Sequence, residues 1–409
     1  MIIQANPLGV IIVEPFILFG IIIALVLAFV NGLNDAAHSI ATVVVTRALS
    51  PGKAVFFTAV CNMLGPFIFT TAAVAATIGT TIVTTKALTP SSIIVAMVAA
   101  ILLIFVATRI GFPISTSTAV VGGLIGAGVA AGGIGAIILP GSTTVLQIIF
   151  WGFIGGVAGA LILAGLTAMI GADIRLGILL GAICGAALII PILMVSGLLI
   201  LSGLLAIVLF IFIGPIMGIT GAFLLDIVVT HAFRHSRQNR MKRIFQPFHI
   251  LVCLFQAAIH GGNNGQIAMG LITALLVTSG ILAGFAVPLW VVLAAALAIG
   301  FGTCFGGWQV VEKMAHGITK IRPYQGFCAA TASCGTLIME TLYGIPVSAT
   351  YTINGAIIGV GATRGKDAVQ WRVVREMMIA WIITIPLAFI CAFIISMIFS
   401  ASMYLLGSI

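Results

Sequence analysis

Apolar residues in this chain run in long blocks and do not recur in a narrow helical stripe. Blocks long enough to cross a bilayer fall at roughly 11–46, 54–78, 91–109, 113–134, 146–171, 176–193, 195–230, 249–273, 281–303, 326–342, 346–363 and 376–402. A transmembrane helix needs about 20 apolar residues. The pattern predicts an all-α polytopic membrane protein of about twelve transmembrane segments. The first and seventh blocks are too long for one straight span and predict a tilt, a break or a re-entrant piece. Polar residues gather in short connections. The longest, HAFRHSRQNRMKRIFQPFH at 231–249, reads as a solvated cytoplasmic loop, with recognition of anionic lipid as the lesser alternative.

Composition narrows the class. Of 409 residues, 62% are hydrophobic and 6% are charged, against about 25% charged in a soluble domain. So few charges cannot cover a globule of this size, which excludes a soluble enzyme, a nucleic-acid binder and a disordered protein. The 48 glycines suit helices that pack closely or break within a membrane. The seven cysteines form no CxxC pair and read as small packing residues. The N-terminus has no Lys or Arg before its apolar stretch, so no cleavable signal peptide is expected.

The net charge of +9 is explained by topology. With the 47–53 connection placed in the cytoplasm and twelve crossings, every Lys and Arg falls inside except Lys86. That is a strong positive-inside bias, and it predicts both termini outside. The short loops suit a prokaryotic inner membrane.

The chain also repeats itself. FPISTSTAVVGGLIGAG at 112–128 and IPVSATYTINGAIIGVG at 345–361 share Pro113/Pro346, Ser115/Ser348, Gly122/Gly355, Ile125/Ile358, Gly126/Gly359 and Gly128/Gly361. NGLNDAAHSIAT at 31–42 parallels HGGNNGQIAMGL at 260–271 through Gly32/Gly261 and Asn34/Asn263. Two motifs in the same order at nearly the same spacing indicate duplication. In the topology above, matching segments run in opposite directions. The expected organisation is a first transport repeat with additional spans over 1–195, a connecting span with the basic loop over 196–248, and a second, inverted repeat over 249–409. Inverted repeats with Gly/Pro-interrupted helices point to a secondary transporter with its site near the midplane.

The motifs permit a specific chemistry. Pro113 and Pro346 suit the first turn of a helix. A helix that begins at membrane depth presents unpaired N–H groups and the positive end of its dipole. The hydroxyls of Ser115, Thr116, Ser348 and Thr350 add neutral donors, so two such ends can envelop a tetrahedral oxyanion. The bland alternative is a hydroxyl that merely kinks its helix or bonds back to a carbonyl. Asn34 and Asp35 sit in an apolar run, where an acid costs several kcal/mol unless paired or protonated, on the order of 2.5–3.5 kcal/mol on insertion scales. Their oxygens suit Na⁺ or H⁺; the alternative is Asp35 as a helix cap. Gly32 and Gly261–Gly262 are expected to let the backbone unwind and offer carbonyls. No Lys or Arg falls mid-membrane near these motifs, so an anionic cargo is expected to be neutralised by a co-bound cation.

Other polar residues carry weaker signals. His38 stands one turn after Asp35, and His260 stands beside the second glycine pair; each is as well explained by packing. Glu340 is six residues before Pro346, either buried or at an interface. Asp226 is expected to pair with the basic loop. Trp151, Trp290, Trp371 and Trp381 read as interface anchors. There is no P-loop, HExxH, GxSxG, haem or zinc pattern. No enzyme activity and no resident cofactor are expected, and metal ligation is left open.

At these residues the sequence resembles the inorganic phosphate transporter family, which also includes sulfate permeases. Its G-x-N-D and P-V-S-x-T-like motifs correspond to Gly32-Leu-Asn-Asp35 with Pro113-Ile-Ser-Thr and to Gly261-Gly-Asn-Asn264 with Pro346-Val-Ser-Ala-Thr. The stretches NGLNDAAHSIATVVVTRALSP at 31–51 and FGGWQVVEKMAHGITKIRPYQGFCAAT at 305–331 extend the likeness. The resemblance implies an inverted-repeat symporter that carries phosphate with Na⁺ or H⁺, sometimes as a metal–phosphate complex. It implies Asn34, Asp35, Ser115, Thr116, Asn263, Asn264 and Ser348 as ligands, with Thr350 a near neighbour. It leaves a homodimer compatible. Three departures stand out: Asn264 replaces the usual Asp, Ala349 a common Thr, and Thr118 and Tyr351 a frequent His. The lost acid leaves coupling stoichiometry, and phosphate against sulfate, open. From other classes, an anion channel and a membrane enzyme remain as distant alternatives.

Overall fold

The structure, a computed structural model, describes residues 14–69, 71–110, 114–169, 174–201, 203–306, 318–346 and 348–407, with the side chains of 36–39, 176, 366 and 403–407 outside the description. The N-terminal stretch read for a signal peptide, and Pro113, lie outside the described residues. The helices are α1 (Pro15–Val45), α2 (Pro51–Ile68), α3 (Ala73–Thr80), α4 (Pro90–Ile110), α5 (Thr116–Gly132), α6 (Ser142–Met169), α7 (Ile174–Val195), α8 (Gly203–Ala232), α9 (Gln238–Thr278), α10 (Leu289–Phe305), α11 (Pro323–Leu342), α12 (Ala349–Ala362) and α13 (Trp371–Gly407). No strand forms among the described residues. Seven helices are long and apolar enough to cross a membrane, or eight if α2 and α3, bent by 78°, count as one broken span.

Each of the twelve apolar blocks carries a helix, but the breaks differ from expectation. The first block is one unbroken helix of 31 residues, and the break falls in the second block instead. There Pro66 lies near the end of α2 and Ala72 takes a left-handed conformation at φ 49°. Gln266 bridges the break: its Nε2 donates to the Phe69 carbonyl at 3.1 Å and its Oε1 accepts from Val74 N at 3.0 Å. One side chain thus satisfies backbone groups at two helix ends that would otherwise be bare. The basic stretch is also only partly a loop. Helix α9 begins at Gln238, because Gln, Arg, Met and Lys are good helix formers.

Glycines set the helix crossings. α1 meets α10 where Gly32 faces the Ile299 carbonyl and Gly302 faces that of Phe29. α9 meets α2 where Gly261 faces the Asn62 carbonyl and Gly65 that of Ala258. A Cβ at any of the four would overlap a backbone oxygen. The expectation that Gly32 and Gly261–Gly262 unwind their helices is therefore corrected: α1 and α9 run through them unbroken, and their small size serves close approach. α5 lies on α13 through Gly122 and Gly126, and α12 lies on α8 through Gly355 and Gly359. α6 and α7 pair through Gly155 and Gly159 against Gly181 and Gly185. Phe153, Leu161, Ile162 and Met169 on α6 are exposed, as suits a lipid-facing hairpin.

Candidate anion and cation site

The two short helices α5 and α12 begin inside the molecule. Gly344, at φ 67°, ends α11: its N–H reaches the Thr341 carbonyl at 3.1 Å, and Ile345 N reaches that of Glu340 at 2.9 Å. Only a residue free to take positive φ closes a helix this way. The chain then passes through Pro346 to Ser348, which caps α12 by accepting from Tyr351 N at 3.3 Å. Ser115 caps α5 in the same manner, accepting from Thr118 N at 3.4 Å. Both caps, Thr116 and Thr350 are buried. Two helix N-termini, each with a positive dipole end and serine and threonine hydroxyls, are therefore held away from solvent.

The paired Asn residues tie these ends to the long helices. Asn34 Nδ2 donates to the Ile114 carbonyl at 3.2 Å, beside the α5 cap, and Asn34 Oδ1 accepts from Thr108 Oγ1 at 2.9 Å. Asn263 Nδ2 donates to the Ile345 carbonyl at 3.3 Å and to Thr341 Oγ1 at 2.9 Å. Each half thus uses an Asn on a long helix, a Thr at the end of the preceding span and a carbonyl ahead of the short helix.

Asp35 joins the halves. Its Oδ1 accepts from Asn34 Nδ2 at 2.7 Å and its Oδ2 from Asn264 Nδ2 at 2.9 Å. His260 Nε2 lies 3.1 Å from the same Oδ2. The other imidazole nitrogen, Nδ1, meets Asn62 Oδ1 at 3.0 Å. The Asn62 orientation is fixed, since its Nδ2 donates to Thr303 Oγ1 at 2.7 Å and that hydroxyl donates to the Ile299 carbonyl at 2.9 Å. Asn264 Nδ2 also meets His260 Nε2, so Asp35, His260, Asn264 and Asn62 form one buried polar cluster.

The two short helices also touch directly. Thr118 Oγ1 and Tyr351 OH are 3.3 Å apart, and Tyr351 stacks on Trp381 with ring centroids 4.5 Å apart. A closed ring results, from the α5 end through Asn34 and Asp35 to Asn264 and Asn263, on to the α12 end, and back through Tyr351 and Thr118. All eight residues selected from the sequence lie in it or in the first turn beside it. Among them Thr116 Oγ1, Asn263 Oδ1 and Asn264 Oδ1 are buried without a hydrogen-bond partner.

Several readings need correction. Asp35 is not a helix cap; it lies in the middle of α1. Asp226 does not pair with the basic loop among the described residues. It is buried and accepts from Thr363 Oγ1 at 2.6 Å and Gln325 Nε2 at 3.4 Å, because its position on α8 faces α11 and α12. Trp381 is buried against Tyr351 and is no interface anchor, while Trp290 and Trp371 are about half exposed. The His38 side chain lies outside the described residues. Sequence reasoning weighed His260 without selecting it, named Thr118 and Tyr351 only as departures from the family pattern, and left out Asn62, Thr108 and Thr341. Thr108 and Thr341 were findable, since the offset that relates Pro113 to Pro346 pairs them.

Comparison with known proteins agrees with this architecture. The profile of the phosphate transporter family matches residues 31–176 and 177–392. A protein of Rhizobium meliloti (strain 1021), "Probable low-affinity inorganic phosphate transporter", is 36% identical over 375 residues, 91% of this chain and 93% of its own. A protein of Bacillus subtilis (strain 168) with the same description is 31% identical, over 93% of this chain and 97% of its own. The solved structure titled "The sodium-dependent phosphate transporter" shares the fold, with a TM-score of 0.67, 23% identity, and coverage of 95% of this chain and 100% of that one. These relatives are transporters and not enzymes. The chain is a multi-pass membrane protein that belongs to the phosphate transporter family.

Proposed function

We propose that this chain is a cation-coupled symporter of inorganic phosphate that works by alternating access between two inverted halves. One observation carries the reading: the ring in which two buried helix N-termini, two Asn-Thr clamps and a single acid close on one another. Family membership and the descriptions of the relatives support phosphate as cargo. The N-termini and hydroxyls at Ser115, Thr116, Ser348 and Thr350 donate to the phosphate oxygens. Asn34, Asp35, Asn263 and Asn264 supply oxygens for the coupling cation and complete the anion site. No Lys or Arg stands in the ring, so the countercharge travels with the cargo as Na⁺ or H⁺. No resident cofactor is needed, and a metal–phosphate complex is a compatible form of the substrate. A homodimer remains compatible with this mechanism.

The inverted repeat is supported by the paired motifs and by the matched contacts of α5 on α13 and α12 on α8. The positive-inside bias favours an orientation with the basic 231–249 stretch cytoplasmic and both termini outside, and the short loops suit an inner membrane. Asp35 also favours phosphate over sulfate, because a carboxylate accepts a hydrogen bond that only a protonated oxyanion gives. Uptake of labelled phosphate by proteoliposomes tests the reading: accumulation driven by a Na⁺ or H⁺ gradient is expected, and none under either gradient overturns it. D35N is expected to abolish coupled uptake while the protein remains inserted. Inhibition by excess sulfate as strong as by excess unlabelled phosphate favours the runner-up, a sulfate symporter of the same fold.

A further inference from the structure

Glu340 takes no part in the ring, although Thr341 beside it does. Its side chain is completely buried, and neither carboxyl oxygen has a hydrogen-bond partner. Among the described residues no ion pair includes it. It faces α8 at Gly214: a Cβ built there would lie 2.8 Å from Glu340 Oε1 and 3.3 Å from Thr352 Oγ1. Gly214 therefore makes room for an acid and a hydroxyl side by side. Thr352 donates to the Ser348 carbonyl at 3.3 Å, so its oxygen faces the pocket as an acceptor. Pro215 follows in α8 and has no N–H, which leaves the Ile211 carbonyl without its helical donor.

The pocket belongs to one half. The offset that relates Pro113 to Pro346 pairs Glu340 with Ala107 and Thr352 with Ala119. The second half also lacks an acid where Asn264 stands. A bare carboxylate inside a membrane protein is costly, so such groups mark ion or proton sites. Hard cations such as Ca²⁺ need six or more oxygen ligands; the oxygens located here are those of the carboxyl and one hydroxyl. A proton needs one.

We propose that Glu340, lodged between Thr352 and Gly214 of α8, is a proton-binding site of this transporter, separate from the Asp35–His260 pair. The inference rests on the symport reading above. Glu340 stands beside the first turn of α12, whose positive end faces the anion site. An ionised Glu340 draws on that dipole, and a protonated one leaves it to the anion. Proton and phosphate binding therefore reinforce each other, and by reciprocity phosphate binding takes up a proton. Titratable groups on the elements packed against α11 face elsewhere. Asp226 binds Thr363 and Gln325, and His249 binds Thr42. Cys253 meets Thr42, His260 meets Asp35, and the Tyr351 hydroxyl meets Thr118. His231 lies at the far end of α8.

The test measures protons taken up per phosphate bound by purified wild type and E340Q in weakly buffered dye solution. E340Q is expected to bind phosphate and to take up about one proton fewer per phosphate, as linkage requires. Equal proton uptake by the two proteins overturns the proposal, as does a changed Na⁺ to phosphate ratio with proton uptake unchanged. Absence of phosphate binding by wild type instead overturns the symport reading. If E340Q does not fold, infrared difference spectra of wild type carrying ¹³C-glutamate decide. A glutamic-acid C=O band that gains intensity when phosphate is added, equally in wild type and in E312Q, is expected, since of the other glutamates Glu14 is exposed and Glu376 only half-buried. No such band overturns the proposal.

Discussion

Asn264 donates its amide to the carboxylate oxygen that His260 also meets. An acid at this position would put a second carboxyl group about where that amide now stands. Two ionised carboxyls so close repel, so N264D should recruit an additional cation. Its Na⁺ or H⁺ to phosphate ratio, measured from reversal conditions in proteoliposomes, is expected to rise. Ser115 and Ser348 cap their helices and face the proposed anion. A hydrogen bond to a charged group contributes roughly 1.5–3 kcal/mol, so S115A and S348A should each weaken apparent phosphate affinity by about 10- to 150-fold. Uptake kinetics against phosphate concentration measure this. Both variants should also lose some helix-cap stability, about 1 kcal/mol, which a thermal melt separates from the binding loss.

At the scale of the elements, the long helices hold the site rigidly because they touch at glycine. Gly261 lets α9 approach the Asn62 backbone, and Asn62 in turn orients His260. G261V forces the two helices apart. Overpacking of this kind costs typically 1–3 kcal/mol, and here it also shifts the His260–Asp35 contact. The variant is expected to melt earlier and to lose uptake, whereas G52V, at an open position on α2, should leave both within error. The α2–α3 break is held by Gln266. Q266L strips the Phe69 carbonyl and Val74 N–H of their side-chain partner, and faster hydrogen exchange at the start of α3 is the expected readout.

For the whole molecule, the proposed orientation follows from the basic residues. In a background freed of the seven native cysteines, a cysteine at Arg237 should react with impermeant reagent only from the cytoplasmic side, and one at Lys86 only from outside. Reversed labelling contradicts the orientation drawn from the basic loops. The bridge between Thr118 and Tyr351 is the direct contact between the two short helices. Alternating access requires such contacts to break and reform, so Y351F is expected to change the maximal uptake rate more than the phosphate affinity.

Much of this protein is set by the linear order of its residues. Blocks of apolar side chains are excluded from water, whether they face lipid or, like α5 and α12, the protein interior, and each block carries a helix because backbone groups there have no water to bond. The duplicated Pro-Ser and Gly-x-Asn motifs were legible because they differ sharply from the Leu, Ile and Val around them. Pairing across the fold was not legible. The repeat singles out Asn264, but nothing near Asp35 in sequence shows that Asn264 donates to it or that His260 Nε2 lies 3.1 Å from it. Glycine in an apolar run reads equally as a break or as a crossing point, and only the neighbouring helix decided for the crossing at Gly32 and Gly261. Glu340 and Asp226 illustrate the same limit: the cost of a buried acid is known from its chemistry, but its partners are chosen by whichever helices pack against it.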